Sequence, residues 1–265
     1  GTPDAGGTWS GPSAVVGGMI DPAVMSAGVY TYTVIGAAPC VNASSTVTVT
    51  INAPPTAGSD GAISVCEIDA AFNLFSQLGG VAQAGGSWTF AGAAHGSTFT
   101  PGTDAPGAYT YTVPGTAPCP ADIATVTVTV NAMPDAGIDG GLTLCSSSPA
   151  TSLITGLNGT PDAGGTWTAP GGGASNGTFT PGVSATGIYT YTVNGTAPCP
   201  AVSATVDVNV VTNPDAGTPG NATLCATDAS ILLFEELGGT PDAGGAWTGP
   251  SPVVGGQYDP ATMNP

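Results

Sequence analysis

Six cysteines are the residues of this chain best suited to covalent chemistry, and their sequence surroundings divide them into two classes. One class follows Ala-Pro in a loop-like segment: Cys40, Cys119 and Cys199. The other class ends short strings such as ISVC and LTLC: Cys66, Cys145 and Cys225. Regularly placed cysteines in an acidic β-repeat chain predict disulfides that form in an oxidising, extracellular environment.

The cysteine spacing is compatible with two disulfide schemes. Pairing within a repeat gives two bridges of 53 and 54 residues and leaves Cys40 and Cys225 to other partners: Cys66–Cys119 and Cys145–Cys199. Pairing across the repeat junctions gives three bridges of 26 residues: Cys40–Cys66, Cys119–Cys145 and Cys199–Cys225. We favour pairing within a repeat, and we expect either kind of bridge to stabilise the fold by about 2–4 kcal/mol.

The charge balance excludes several classes of function. The 265 residues include 17 acidic residues and one histidine but no lysine or arginine, which gives a net charge of −17. Because no side chain can neutralise phosphates, we expect neither nucleic acid nor an anionic membrane surface as a partner. A single histidine leaves no repeated catalytic triad and no multi-histidine metal site. We therefore predict that the chain is not an enzyme and has no catalytic residues. No segment resembles a signal peptide or is apolar enough to insert into a membrane.

Aspartates at one repeat boundary suggest the only metal hypothesis. Asp135 and Asp139 lie four residues apart, and grouped carboxylates at a domain junction can bind Ca²⁺ and stiffen tandem domains. The alternative is that these aspartates form turns beside Pro and Gly. We favour turns, because no EF-hand-like run of alternating acids occurs. Ca²⁺ is thus the only candidate cofactor, and we expect none to be required.

An internal repeat must position all of these residues. Four tryptophans recur at intervals of 79, 79 and 80 residues: Trp9, Trp88, Trp167 and Trp247. The string YTYTV also recurs, in three copies that begin at Tyr30, Tyr109 and Tyr189. The pattern predicts four consecutive segments: a partial repeat at 1–53, complete repeats at 54–132 and 133–212, and a partial repeat at 213–265.

Hydrophobicity within a repeat alternates with a period of two. From Thr125 to Val130, polar and apolar residues alternate, which predicts a strand with Val facing inward and Thr facing water. The preceding YTYTV string and the GTAPCP loop between the two strands predict a hairpin. Six or seven short strands in each repeat predict an all-β chain of tandem immunoglobulin-like Greek-key β-sandwiches that form an extended rod. The Leu-rich stretch from Phe72 to Leu78 is compatible with a strand or with one helical turn.

Aromatic side chains are the expected core of each sandwich. Six of them recur at equivalent positions and are predicted to pack between the sheets: Trp9, Trp88, Trp167, Trp247, Tyr111 and Tyr191. The alternative role for the tryptophans is exposed stacking on sugars. We favour packing, because repetition at one structural position is typical of architecture.

Several strings in the chain resemble a known family. LFEELGGTPDAGGAWTGPS, GVYTYTV and GTAPCPAVSATVDVNV resemble the tandem immunoglobulin-like repeats of giant cell-surface adhesins from gliding Bacteroidota, the SprB-type adhesins exported by type IX secretion. The similarity extends over all 265 residues. It implies an extracellular, cell-surface location. Our first hypothesis is therefore a structural stalk or filament segment for surface attachment or gliding motility. Its partners would be other repeats of the same chain, with a homo-oligomeric fibre as a variant. The second hypothesis is an extracellular module that binds surface polysaccharide or Ca²⁺.

Overall fold

A computed structural model of the protein describes residues 4–263. These residues form strands and three short 3₁₀ turns, and none of them lies in an α-helix. The chain divides into two compact units, one comprising Gly1–Met133 with Thr196–Pro200 and the other Pro134–Gly195 with Ala201–Pro265. None of the described residues forms a helix long and apolar enough to cross a membrane.

The first partial repeat contains a three-stranded antiparallel sheet. Its strands, in the spatial order β1-β2-β3, are β1 (Thr8–Ser10), β2 (Gly28–Val34) and β3 (Ala43–Val49). Strands β2 and β3 form the predicted hairpin, and all seven residues of β2 pair with β3.

The second repeat forms a complete two-sheet sandwich. Its elements in chain order are β4 (Gly61–Cys66), β5 (Phe72–Asn73), the 3₁₀ turn η1 (Leu74–Gln77), β6 (Ser87–Phe90), β7 (Ala93–His95), β8 (Thr98–Phe99), β9 (Gly107–Val113) and β10 (Asp122–Asn131). The larger sheet has the order β4-β10-β9-β6-β7, and β5 pairs with β8 in the smaller sheet. Strand β4 runs parallel to β10, whereas the other pairs are antiparallel.

The third repeat has the same topology. Its elements are β11 (Gly140–Cys145), β12 (Thr151–Ser152), η2 (Leu153–Gly156), β13 (Thr166–Thr168), β14 (Ala174–Ser175), β15 (Thr178–Phe179), β16 (Gly187–Val193) and β17 (Val202–Val211). The order is β11-β17-β16-β13-β14 in the larger sheet and β12-β15 in the smaller. The predicted immunoglobulin-like β-sandwich is thus confirmed in both complete repeats.

Up to residue 263, the last partial repeat forms two short strands and one 3₁₀ turn. These are β18 (Ile231–Leu232), η3 (Leu233–Glu236) and β19 (Gln257–Tyr258), with β18 antiparallel to β19. The turns η1, η2 and η3 occupy equivalent positions, so the Leu-rich stretch forms a two-residue strand followed by one helical turn in the second, third and last repeats.

The core of a complete repeat follows from the alternating sequence. Val126 and Val128 of β10 are buried, whereas Thr127 and Thr129 between them are exposed. Buried tyrosines keep their hydroxyls satisfied: in β9, Tyr111 Oη donates to the Gln83 carbonyl oxygen at 2.7 Å. Because the phenol oxygen has a partner, the ring can be buried without the cost of an unpaired polar group.

The predicted core aromatics differ in burial between complete and partial repeats. Trp88 and Trp167 are 5% and 9% exposed, and the ring centroid of each lies 4.9 Å from that of its cross-strand tyrosine, Tyr111 or Tyr191. These two tyrosines are each 2% exposed. Two further tryptophans are only partly buried: Trp9 and Trp247. The described part of each partial repeat lacks strands that cover this ring in a complete repeat.

Candidate functional site: a disulfide between consecutive repeats

Residues 4–263 contain one disulfide, Cys66–Cys199, whose cysteines are 133 residues apart with a Cα–Cα distance of 4.9 Å. This pairing corrects both predicted schemes. Cys66 is not bonded to Cys119 or Cys40, and Cys199 is not bonded to Cys145 or Cys225. The physical reason is the path of the third repeat's hairpin loop. Residues Thr196–Pro200 belong to the first compact unit, where they lie at the end of the second repeat.

Strand β4 positions Cys66. The strand runs parallel to β10, and Cys66 is in register with Asn131, the last residue of β10. The Cys66 N–H donates to Asp69 Oδ2 at 2.7 Å, and the Asp69 N–H donates back to the Cys66 carbonyl oxygen at 3.0 Å. This reciprocal pair reverses the chain after the strand. The Glu67 N–H also donates to the Asn131 carbonyl oxygen at 3.0 Å, which extends the ladder by one bond.

The loop of the β16–β17 hairpin positions Cys199. Its backbone N–H donates to the Thr196 carbonyl oxygen at 2.9 Å, which closes a tight turn. Asn131 Nδ2 donates to the Ala197 carbonyl oxygen at 2.7 Å. The Cys199 Sγ lies 3.2 Å from the Asn131 carbonyl oxygen. Asn131 therefore touches the loop with its side chain and with its backbone. Both bonded cysteines are buried, with Cys66 0% and Cys199 6% exposed.

The same contact between a hairpin-loop cysteine and an asparagine of the preceding repeat occurs one repeat earlier; we call this arrangement the loop seat. Asn52 Nδ2 donates to the Ala117 carbonyl oxygen at 2.7 Å, and the Cys119 Sγ lies 3.4 Å from the Asn52 carbonyl oxygen. The Cys119 N–H donates to the Thr116 carbonyl oxygen at 2.9 Å, as the Cys199 N–H does to Thr196. Cys119 is a partly buried free thiol in this seat.

The strand-end geometry of Cys66 also recurs. Cys145 ends β11 in register with Val211 of β17, and its N–H donates to Ser148 Oγ at 3.1 Å. The Cys225 N–H donates to Asp228 Oδ2 at 2.6 Å. In each copy the acceptor side chain lies three residues after the cysteine. Sequence reasoning missed this C-x-x-(Asp/Ser) signal, and it also missed the role of Asn52 and Asn131. Three cysteines are exposed free thiols: Cys40, Cys145 and Cys225.

The boundary aspartates accept hydrogen bonds from the backbone. Asp135 Oδ1 accepts from the Gly137 N–H at 2.7 Å, and Asp139 Oδ1 accepts from the Thr205 N–H at 2.7 Å. Asp60 holds the Thr125 N–H of the second repeat in the same way, at 2.7 Å. Across residues 4–263 no group of three or more His, Cys, Asp or Glu side chains forms a potential metal site. These carboxylates therefore brace turns and strand edges.

The comparisons with known proteins agree with the fold. No family model matches the sequence. No curated protein matches it either. Among solved structures, an I-band fragment from titin is 12% identical with a TM-score of 0.50, covering 78% of this chain and 88% of the fragment. A three-Ig structure of titin domains with an E-to-A mutation is 13% identical, with a TM-score of 0.47 and coverage of 78% and 84%. At 12% identity the likeness to the titin I-band fragment shows a tandem immunoglobulin-like fold alone and carries no information about function.

Proposed function

We propose that this chain is a stalk segment of a large secreted cell-surface adhesin, acting in surface attachment or gliding motility. The observation that carries the proposal is the Cys66–Cys199 bridge, which joins the end of one repeat to the hairpin loop of the next. A stalk must transmit tension along its length. A covalent bond between consecutive repeats gives tension a path that bypasses the strands between the two cysteines.

Three other features support this role. A buried disulfide favours a protein of the oxidising extracellular space. The charge of −17 without any lysine or arginine keeps neighbouring stalks apart by repulsion and leaves trypsin-like proteases no side chain to recognise. The resemblance of the repeat strings to SprB-type adhesins of gliding Bacteroidota supports the finer assignment to gliding motility and type IX secretion. The expected partners are other repeats of the same chain.

Single-molecule stretching of the chain between residues 1 and 265 tests the proposal. We expect discrete unfolding events, because each sandwich must lose its strand ladder cooperatively. The chain between the bonded cysteines, whose sequence separation is 133, stays hidden in the oxidised chain. Reduction should release it, adding about 45 nm of contour length at ~3.4 Å per residue.

Matched cysteine variants control the experiment. Cys66→Ser should show the full contour length without reductant, whereas Cys225→Ser should behave like the parent chain, because Cys225 is a free thiol. A chain that extends smoothly at low force in both redox states does not bear load, and the stalk proposal would be abandoned. A tryptophan fluorescence change on adding polysaccharide, Ca²⁺ or a chelator would instead favour the binding-module hypothesis.

A further inference from the structure

The loop position of Cys199 and the strand-end position of Cys66 each recur once more in the chain, at a cysteine that forms no disulfide. Cys119 lies in a loop seat that reproduces the seat of Cys199, with the same asparagine-to-loop hydrogen bond of 2.7 Å and a similar sulfur-to-carbonyl distance. Cys145 lies at a strand end that reproduces that of Cys66, in register with the last residue of the partner strand. The repeat that bears Cys66 thus supplies the strand-end half of the observed bridge, and the following repeat supplies the loop half.

The partner strand closes the ladder in the same way at both strand ends. The Glu67 N–H donates to the Asn131 carbonyl oxygen at 3.0 Å, and the Ser146 N–H donates to the Val211 carbonyl oxygen at 2.8 Å. In the observed bridge this hydrogen bond holds Cys66 beside Asn131, the residue whose carbonyl oxygen lies next to the loop cysteine Cys199. Cys145 is exposed there, whereas Cys66 is covered by the loop that it binds.

We infer that Cys119 and Cys145 are half-sites of two further disulfides of the same kind. Cys119 bonds a strand-end cysteine that lies in register with Asn52, and Cys145 bonds a loop cysteine seated beside Val211. Each partner is the equivalent cysteine of another repeat in tandem. A position 133 residues after Cys145 lies past residue 265, so an added repeat must supply this partner.

The chemistry is thiol–disulfide exchange. Two thiols lose two protons and two electrons as the S–S bond forms, and a disulfide oxidant such as oxidised glutathione is reduced to its thiols. The Cys119 thiol is only partly buried and Cys145 is exposed, so both are accessible to such an oxidant.

If every strand-end cysteine bonds the loop cysteine of the next repeat, the bridges have a mechanical consequence for a tandem array. Cys145 lies between Cys66 and Cys199 in sequence, so successive bridges overlap along the chain. The shortest covalent path along the array crosses a disulfide from a strand-end cysteine to a loop cysteine. It then follows the backbone from that loop cysteine to the next strand-end cysteine, where it crosses another disulfide. In this chain that step runs from Cys199 to Cys225, which are 26 residues apart. Only this short step remains extensible in every two repeats of a fully oxidised array.

Two extended chains test the inference. In the first, residues 134–213 are present twice in tandem, and in the second, residues 55–133 are present twice. In each chain the second copy carries exposed conservative substitutions near its cysteines, so that the peptides of the two copies differ in mass: Thr143→Ser and Ser203→Thr in the first chain, and Ser64→Thr and Ile123→Val in the second. Each protein is oxidised with glutathione disulfide, digested with pepsin at acid pH and mapped by non-reducing mass spectrometry. Trypsin cannot be used, because the chain has no lysine or arginine.

The first chain tests Cys145. We expect the first copy of Cys145 to be bonded to the second copy of Cys199, with the Cys66–Cys199 bridge retained as an internal control of folding. The number of free thiols should stay at the present four. Six free thiols, or Cys145 bonded to Cys199 of its own repeat, would overturn the inference. The proposed stalk role would survive that result, because it depends on the bridge already observed.

The second chain tests Cys119. We expect the first copy of Cys66 to bond the second copy of Cys119, while the second copy of Cys66 bonds Cys199. Replacing the second copy of Cys119 by Ser should leave the first copy of Cys66 as a free thiol and spare the Cys66–Cys199 bridge. A free Cys119 thiol in its second copy contradicts the inference. The two chains test the half-sites separately, so a folding failure in one leaves the other to decide.

Discussion

Strands β17 and β3 share an alternating pattern of polar and apolar residues but differ in burial. Val206 of β17 is fully buried, whereas the equivalent Val47 of β3 is 49% exposed. β17 lies between β16 and β11, but β3 pairs with β2 alone. Alternation therefore determines which side chains share a face of the strand. Burial of that face additionally requires a neighbouring strand and an opposing sheet, which come from distant parts of the repeat.

The glycine pair before each tryptophan shows the same contrast. A Cβ atom added to Gly165 would lie 2.5 Å from Tyr191 Cζ, whereas one added to Gly245 would meet nothing within 4 Å. Gly165 also donates its N–H to Tyr191 Oη at 2.8 Å. The string AGG is the same at both places, but a tyrosine of the following hairpin lies against the backbone only at Gly165. The glycine is thus a packing requirement only where the hairpin is present.

The largest expected effect comes from placing a charge on the two equivalent valines. Val206→Asp puts an unpaired carboxylate in the core and should destabilise the third repeat by about 4 kcal/mol or more. Val47→Asp should change stability by less than about 1 kcal/mol, because half of that side chain already meets water. Hydrogen exchange of the β16 and β17 amides measures the first effect, and exchange of the β2 and β3 amides measures the second. Equal protection losses in the two variants would contradict the comparison.

The next effect concerns the bonded and free cysteines. Cys66→Ser removes the bridge and should lower the free energy of unfolding by about 2–4 kcal/mol, because the unfolded chain regains the freedom of a long loop. Cys225→Ser, at an exposed free thiol, should change it by less than about 0.5 kcal/mol. Urea unfolding under oxidising conditions measures both values. A reductant should erase the difference between the parent chain and Cys66→Ser.

A smaller effect separates the two glycines. Gly165→Ala forces its methyl group into the Tyr191 ring and should destabilise the third repeat by about 1–3 kcal/mol. Gly245→Ala adds the same methyl group in open space and should be neutral within about 0.5 kcal/mol. Thermal unfolding of the two single variants provides the measurement. If Gly245→Ala were as destabilising as Gly165→Ala, the difference in packing would not explain the glycine.

The smallest effect is a loss of stability of the two complete repeats at alkaline pH. Burial raises the pKa of Tyr109 above its usual 10.0, and the charge of Asp104 raises it further. Burial also raises the pKa of Tyr189, but a hydrogen bond with Ser184 opposes the shift. The unfolded phenols ionise first, so stability is unaffected below about pH 10 and falls as the pH rises above it.

Because both pKa values are raised, we expect both complete repeats to lose stability as the pH rises above about 10. Hydrogen exchange of β9 and β16 between pH 9 and 11, corrected for intrinsic rates, measures the two slopes. Tyr109→Phe should flatten the slope of the second repeat alone. An unchanged slope in that variant would assign the alkaline loss to other groups.

The repeat, the all-β class and the inward face of each strand could be predicted from the sequence. These properties are local: Val126, Val128 and their threonine neighbours alternate within one strand, and Trp88 and Trp167 recur in one frame. The Leu-rich stretch remained ambiguous in sequence, because a two-residue strand followed by one 3₁₀ turn has no periodicity of its own. The core role of the recurring aromatics required both sheets, as the partly buried Trp9 and Trp247 show.

Only the tertiary structure decided which cysteines meet. Spacings of 26 and 53 residues both suggested short bridges, yet the bond joins residues 133 apart. Cys199 reaches Cys66 because its loop is held on Asn131, which β10 places beside the end of β4. Sequence by itself determined that these cysteines form two regular classes. The pairing between the classes depends on how a loop of one repeat packs against the end of the previous one, and such a contact leaves no periodic signal in the sequence.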